Sequence, residues 1–93
     1  MTYVTVVDDS PAGTVENLDK LMTDILPEPD GLVARYAGMV DGKLCIVAIW
    51  DSADHARTFM TQRLGPGLVQ LLGAAPAAPV RATGMQVEHS YVR

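Results

Sequence analysis

The hydrophobic pattern of the chain centres on one short segment, residues 44–50 (LCIVAIW), in which every residue is apolar. A strand with one face in water alternates apolar and polar residues. An unbroken apolar run of this length is typical of a strand that is buried on both faces. We therefore expect a central strand with a covering layer on each side.

Two further strands and a helix are predicted before this segment. The β-branched residues of Tyr3–Val7 predict the first strand, and Leu32–Val40 predicts the second. Between them, apolar residues recur at helical spacing over residues 15–26. We expect Ser10 to cap this helix with Pro11 at its first position, where the missing N–H is tolerated.

The second half of the chain repeats the strand, helix and strand order. Residues 53–64 predict a second helix, which we expect Ser52 to cap and Gly65-Pro66-Gly67 to end. Residues 68–72 predict one or two more helical turns, and residues 80–93 a last strand. Proline-containing segments at 27–31 and 73–79 predict loops. Apolar or ring-bearing residues alternate with polar ones along the last strand, at Met85, Val87, His89 and Tyr91.

An Asp-Gly pair at 41–42 lies between the second and third strands. This pair favours a two-residue hairpin turn, in which both central residues need positive φ angles. A two-residue turn also fixes the strand register. The register puts Arg35 and Trp50 on one face of the sheet and Tyr36 on the other, with Val33 beside Trp50.

The element order βαββαβ predicts an α+β, ferredoxin-like single domain over residues 1–93. Right-handed crossovers place both helices on one face of a four-stranded antiparallel sheet, with strands one and three central. Two helices cover one face only, yet the third strand is apolar on both faces. We therefore expect a homodimer in which two sheets pack face to face. The alternative is a single chain that tolerates an exposed apolar face.

Composition and charge narrow the classes of partner. The net charge is −4 and the basic residues form no cluster, which argues against nucleic acid. The longest apolar run is far below the ~20 residues that span a bilayer, so no membrane association is predicted. The first ten residues lack the basic start of a signal peptide. A lone cysteine, Cys45, fits a structural role in a reducing compartment, and we expect a cytoplasmic protein.

The segment GLVARYAGMVDGKLCIVAIWDSADHARTFMTQRLGPGL resembles the dimeric α+β barrel superfamily, in particular small actinobacterial proteins related to antibiotic biosynthesis monooxygenases. The resemblance is carried by the strand-three tryptophan followed by Asp-Ser, and by the Leu-Gly-Pro sequence after the helix. It implies a ligand cleft between sheet and helices, one per subunit. Such families include cofactor-free monooxygenases of aromatic polyketides, haem-degrading enzymes, cyclases and isomerases of secondary metabolism, and members without known activity.

Four residues are candidates for chemistry at such a cleft. Trp50 either stacks on a planar ligand or seals the core where strand and helix meet. Arg35 either holds an enolate, phenolate or carboxylate of a ligand, or extends from an edge strand into solvent. His89 is a candidate general base and Tyr91 a candidate for orienting a substrate hydroxyl. The alternative for His89 is a hydrogen-bonded residue in an interface.

Three more residues are candidates for ligand contact. Phe59 and Met60 form either core or the floor of the cleft. Tyr36 is counted with them, although its face of the sheet favours the interface between the two sheets. His55 is expected to be solvated in the first turn of the second helix.

No metal or cofactor is predicted. Two histidines and one cysteine do not form a metal ligand set at any usual spacing. The haem-degrading relatives use a histidine in the helical segment after the tryptophan, and residues 61–72 contain none. Two functions remain open. One is an enzyme acting on a hydrophobic, oxygenated small molecule, as a cofactor-free monooxygenase, cyclase or isomerase. The other is a non-catalytic dimeric module that binds a metabolite or a partner protein.

Overall fold

A computed structural model describes residues 2–26, 28–75 and 80–93. The loops predicted over 27–31 and 73–79 therefore lie partly outside the described residues. The strands are β1 (Tyr3–Val7), β2 (Leu32–Val40), β3 (Lys43–Trp50) and β4 (Ala82–Gln86). The helices are α1 (Val15–Lys20), α2 (Ala53–Thr58) and α3 (Leu64–Leu72). A π-helical segment, Leu21–Ile25, continues α1, and a second, Phe59–Arg63, joins α2 to α3.

The sheet has the strand order β2-β3-β1-β4, and each neighbouring pair is antiparallel. The predicted ferredoxin-like α+β fold is confirmed, with β1 and β3 central and the helices on one face. We call the helix-free side the open face. It carries Val4 and Val6 of β1, Tyr36 and Val40 of β2, Cys45, Val47 and Ile49 of β3, and Met85 of β4.

The predicted hairpin joins β2 to β3. Asp41 has φ 52° and Gly42 has φ 78°, the positive angles that a type I′ turn requires. The register pairs Arg35 with Ala48, as predicted, but the pairing of Val33 with Trp50 was wrong. A bulge between Leu32 and Ala34 places Leu32 opposite Trp50 and leaves Val33 61% exposed. The extra residue turns the larger leucine towards the core, where it buries more apolar area.

The hydrophobic core lies between the sheet and the helices. Trp50 is its largest member and is only 2% exposed. Residues from both π-helical segments, from α2 and α3 and from β3 pack together in this core, with Leu26 after the first π-helical segment: Leu21, Leu26, Ala48, Trp50, Ala56, Phe59 and Leu68.

The start of the first helix differs from the prediction. Thr14, not Ser10, is the N-cap, because its Oγ1 accepts a hydrogen bond from the Asn17 N–H at 3.1 Å. Ser10 is instead buried before the helix, and its Oγ accepts from the Ala12 N–H at 3.3 Å. The predicted cap of the second helix is confirmed: Ser52 Oγ accepts from the backbone N–H of residue 55 at 3.3 Å.

The expectation that Gly65-Pro66-Gly67 ends the second helix was wrong. These residues lie inside α3, near its beginning. Proline is tolerated in the first turn of a helix, where its N–H would have no partner. Gly67 is buried, and a Cβ there would press on the side chain of Leu26. The glycine thus allows a close approach between α3 and the end of the first helix.

The last strand is shorter than predicted. β4 ends at Gln86, and residues 88–93 are exposed. One further backbone hydrogen bond joins the Val87 N–H to the Thr2 carbonyl at 3.0 Å. Met85 pairs with Val4 and so lies on the open face. Within the described ranges, no helix combines the length and the apolar character needed to cross a bilayer.

Candidate functional site

A narrow apolar cavity lies between the sheet and the helices. Its volume is about 40 Å³, enough for two or three water molecules. Trp50 and Phe59 form part of its wall, and Ala48 forms part of the sheet surface beneath it. Met22 and Met60 also line it, one from each π-helical segment. The cavity is therefore enclosed by aromatic rings and by two flexible thioether side chains.

Trp50 is at once a core residue and a wall of the cavity. Its indole Nε1–H donates a hydrogen bond to Thr5 Oγ1 at 3.1 Å. Its ring lies 5.5 Å from the Phe59 ring, centroid to centroid, at an interplanar angle of 41°. Both contacts fix the orientation of the indole, since a tilted aromatic pair and a buried hydrogen bond each favour one geometry.

Arg35, Ala48 and Thr5 lie side by side across the sheet. Arg35 on β2 pairs with Ala48 on β3, and Ala48 pairs on its other side with Thr5 on β1. Adjacent strands are ~4.8 Å apart, so the Cα atoms of Arg35 and Thr5 are about 10 Å apart. Because the alanine side chain is small, it leaves space above the sheet between a cation and a hydroxyl.

Arg35 is an exposed residue that lines the cavity from one side. It also lines an open groove of about 340 Å³, together with Glu28 and Val33. Met22, Leu32 and Arg35 line both the groove and the cavity, so the two adjoin there. The guanidinium is therefore available to a molecule that enters the cavity from this groove.

Sequence reasoning missed two polar residues of the cavity. Thr5 and Ser10 both line it, and each is only 7% exposed. Thr5 could have been found from the alternation in Tyr3–Val7, which puts a hydroxyl on the helix-facing side of a central strand. The role of Ser10 is hidden in the sequence, because a serine directly before a proline is also typical of a helix N-cap.

The predicted site residues separate into two groups. Trp50, Arg35, Phe59 and Met60 all line the cavity. Tyr36 lies on the open face, on the other side of the sheet, and is 64% exposed.

His89 and Tyr91 do not line the cavity of their own chain. Both are exposed and follow the end of β4; Tyr91 is 86% exposed. The predicted strand alternation that would place them on the open face with Met85 does not extend to them, because β4 ends at Gln86. Their roles in a site therefore remain a prediction that requires a second subunit.

Within residues 2–26, 28–75 and 80–93, no three His, Cys, Asp or Glu side chains come together as metal ligands. Cys45 is half-buried on the open face, and its thiol donates to the Asp8 carbonyl at 3.0 Å.

Comparison with known proteins gives a structural likeness and no sequence match. No protein family model matches the chain, and no curated protein matches it significantly. Similar solved structures include a proposed antibiotic biosynthesis monooxygenase from Chloroflexus aurantiacus, at TM-score 0.61 and 11% identity, covering 99% of this chain and 98% of that one. SnoaB, a cofactor-independent oxygenase from Streptomyces nogalater, matches at TM-score 0.59 and 15% identity over 96% and 93%.

A third structure is the monooxygenase ActVA-Orf6 of Streptomyces coelicolor in complex with nanaomycin D, at TM-score 0.57 and 16% identity. The match covers 99% of this chain and 90% of that one. At these identities the likeness concerns architecture. The chain has the ferredoxin-like α+β fold of antibiotic biosynthesis monooxygenase-like proteins.

Proposed function

We propose that this chain binds a flat, oxygenated hydrophobic molecule between its sheet and helices and acts as a cofactor-independent monooxygenase on an aromatic or polyketide-like metabolite. The observation that carries the proposal is an apolar cavity with a single cationic side chain, Arg35, among its described lining residues. The structural likeness to SnoaB and ActVA-Orf6, which are oxygenases, supports it.

The proposed oxidation requires few groups of the protein, because the substrate itself reacts with O₂. An electron-rich substrate such as a hydroxylated anthrone loses a proton to give an enolate or phenolate. The anion transfers electrons to O₂, a C–O bond forms, and water leaves as the new carbonyl is made. The protein has to stabilise the anion in a water-poor site. Arg35 supplies the charge for this, while Trp50 and Phe59 supply surfaces against which a ring packs.

The cavity must widen to take such a ligand. Sites for molecules of this size have volumes of roughly 300–1,000 Å³, against about 40 Å³ here. Met22 and Met60 are the side chains most suited to move, because methionine is unbranched and flexible. Each lies in a π-helical segment, an irregularity that often accompanies functional sites. Their outward movement would join the cavity to the groove beside Arg35.

The proposal includes a homodimer through the open face. Tyr36, Val40 and Met85 on this face are all more than half exposed. Contiguous exposed apolar surface of this kind typically marks an interaction site. Packing two such faces together would bury the apolar side of β3.

The test is oxygen consumption with anthrone as the substrate. The purified protein is expected to consume one O₂ per anthrone converted to anthraquinone, faster than buffer. Arg35→Gln should slow the conversion by about 10²-fold, the usual effect of losing one group that stabilises a developing anion. Arg57→Gln is the matched control, because Arg57 pairs with Asp54 on the exposed surface of α2. Oxygen uptake no faster than in buffer would rule out the proposed monooxygenase activity.

One observation favours a second candidate, a non-catalytic module that binds a metabolite. Among the residues of the described chain that line the cavity, there is no histidine, aspartate or glutamate to move a proton. A cyclase or isomerase would need such a group as much as an oxygenase does. Saturable ligand binding with no turnover of the bound molecule would identify the module.

A further inference from the structure

We infer that Thr5 orients the ligand: its hydroxyl donates a hydrogen bond to a carbonyl oxygen on the edge of the bound molecule that faces away from Arg35. The inference rests on the proposed binding of a small molecule in the cavity. It goes beyond that proposal by naming the residue that selects among flat hydrophobic molecules and the chemical group that it selects.

The hydrogen bond from Trp50 directs the proton of Thr5. A threonine hydroxyl has one donor proton and two acceptor lone pairs. The Trp50 Nε1–H occupies a lone pair of Thr5 Oγ1 at 3.1 Å. The hydroxyl proton must therefore point elsewhere, and in the hydrogen bonds of the described residues Thr5 Oγ1 takes part only as an acceptor. Thr5 is only 7% exposed, and it lines the cavity. The proton is thus available to a molecule inside.

The Thr5 oxygen already accepts one hydrogen bond, from Trp50. A second hydrogen bond, donated by its hydroxyl to a ligand, would contribute about 0.5–1.5 kcal/mol net, so the site favours molecules that carry an acceptor at this position. Apart from Ser10 and Arg35, the other described residues that line the cavity are apolar. Thr5 is therefore a specificity-determining residue, and a hydrocarbon of the same shape is a poorer ligand than the ketone.

The order of residues across the sheet sets which edge of the ligand carries the carbonyl. Thr5 and Arg35 flank Ala48, with their Cα atoms about 10 Å apart. A flat ring system above Ala48 can present an acidic or anionic oxygen to Arg35 and a carbonyl oxygen to Thr5. The recognised class is a planar molecule with oxygen atoms on two opposite edges.

The experiment compares two probes that differ by one carbonyl, 1-indanone and indane, in ¹⁵N–¹H NMR titrations. The chain contains one tryptophan, so the Trp50 indole N–H gives a single cross-peak beside the hydroxyl in question. The wild type is expected to bind 1-indanone about five- to tenfold more tightly than indane, the equivalent of one net hydrogen bond. Thr5→Val should reduce this preference to about twofold or less, and Thr5→Ser should retain it.

Three outcomes are distinguishable. An unchanged ketone preference in a folded Thr5→Val variant overturns the role of Thr5 and leaves the proposed binding function standing. Failure of both probes to shift the Trp50 cross-peak in the wild type contradicts the proposed function and this inference together. If Thr5→Val does not fold, the infrared carbonyl stretching frequency of 1-indanone bound to the wild type tests the hydrogen bond instead. A frequency below that in cyclohexane supports the hydrogen bond, and an unshifted frequency overturns it.

Discussion

At the scale of single residues, small side chains determine where the large ones lie. Ala48 leaves the space between Arg35 and Thr5, and Trp50 orients the Thr5 hydroxyl. The same principle holds at Gly31, which has φ +81° and whose missing Cβ leaves room for the His55 ring. His55 is in turn held by Ser52, whose Oγ lies 2.7 Å from Nδ1. Gly31 therefore meets two requirements, one of backbone conformation and one of space.

Alanine at Gly31 and at Gly13 separates these two requirements. Gly13 has φ +82°, almost the same as Gly31, but nothing lies within 4 Å of the Cβ position. Gly13→Ala should lower the free energy of unfolding by about 1 kcal/mol, the cost of a positive φ for a residue with a Cβ. Gly31→Ala should cost about 3 kcal/mol, because the new methyl group also displaces His55. Urea unfolding measures both values.

His55→Ala provides the control for this prediction. In that background, Gly31→Ala should cost less than in the wild type, because the imidazole ring is gone while the backbone strain remains. Equal costs at Gly13 and Gly31 would show that the ring does not restrict the glycine.

At the scale of helices and strands, tertiary packing decided several features that local sequence signals did not. The continuity of residues 53–72 is an example: α2, a π-helical segment and α3 follow without interruption through Gly65-Pro66-Gly67. A glycine–proline–glycine sequence usually ends a helix. Here Pro66 lies in the first turn of α3, and Gly67 packs against Leu26.

Proline substitutions test this assignment of α3. Pro66→Ala should leave the helical circular dichroism at 222 nm unchanged and alter the free energy of unfolding by less than about 1 kcal/mol, because Pro66 lies in a first turn. Gln70→Pro, on the exposed side of the same helix, should cost about 3 kcal/mol or more. A negligible effect of Gln70→Pro would mean that residues 64–72 do not form a stable helix.

The strands and the turn were the predictable part of these elements. Residues 44–50 and Asp41-Gly42 are strong local signals, and they fixed β3 and the register near Arg35. The bulge at Val33 could not be predicted, because only packing against Trp50 selects Leu32 over its neighbour. Trp50, Phe59 and Met60 were identifiable as inward-facing residues from spacing alone. Met22 reaches the cavity through the placement of the first helix against the sheet, which the sequence does not encode locally.

At the scale of the whole molecule, the sheet has two faces with different roles. One face packs against the helices and encloses the cavity. The open face carries Val47 at its centre, between Val6 and Tyr36, with no covering layer in the described chain. An apolar sheet face is stable in water only when something covers it. We therefore propose that a second copy of the chain covers the open face in a homodimer, since this requires no additional component.

Aspartate substitutions test this assignment. Val47→Asp places a charge at the centre of the open face and should convert the dimer to monomer, since an unpaired buried charge is strongly unfavourable. Val69→Asp is the matched control, because Val69 lies on α3 and is already exposed. Sedimentation velocity should show a smaller sedimentation coefficient than that of the wild type for Val47→Asp only. Dissociation of both variants, or of neither, would argue against the open face as the interface.

The most direct test of the account is the mass of the wild-type protein in solution, measured by light scattering after size exclusion at micromolar concentration. The chain has a mass of 10.0 kDa. We predict a particle of twice that mass, because a second copy would cover the open face. A stable, soluble particle with the mass of one chain would contradict this prediction. His89 and Tyr91, which do not line the cavity of their own chain, would then have no cavity in which to act.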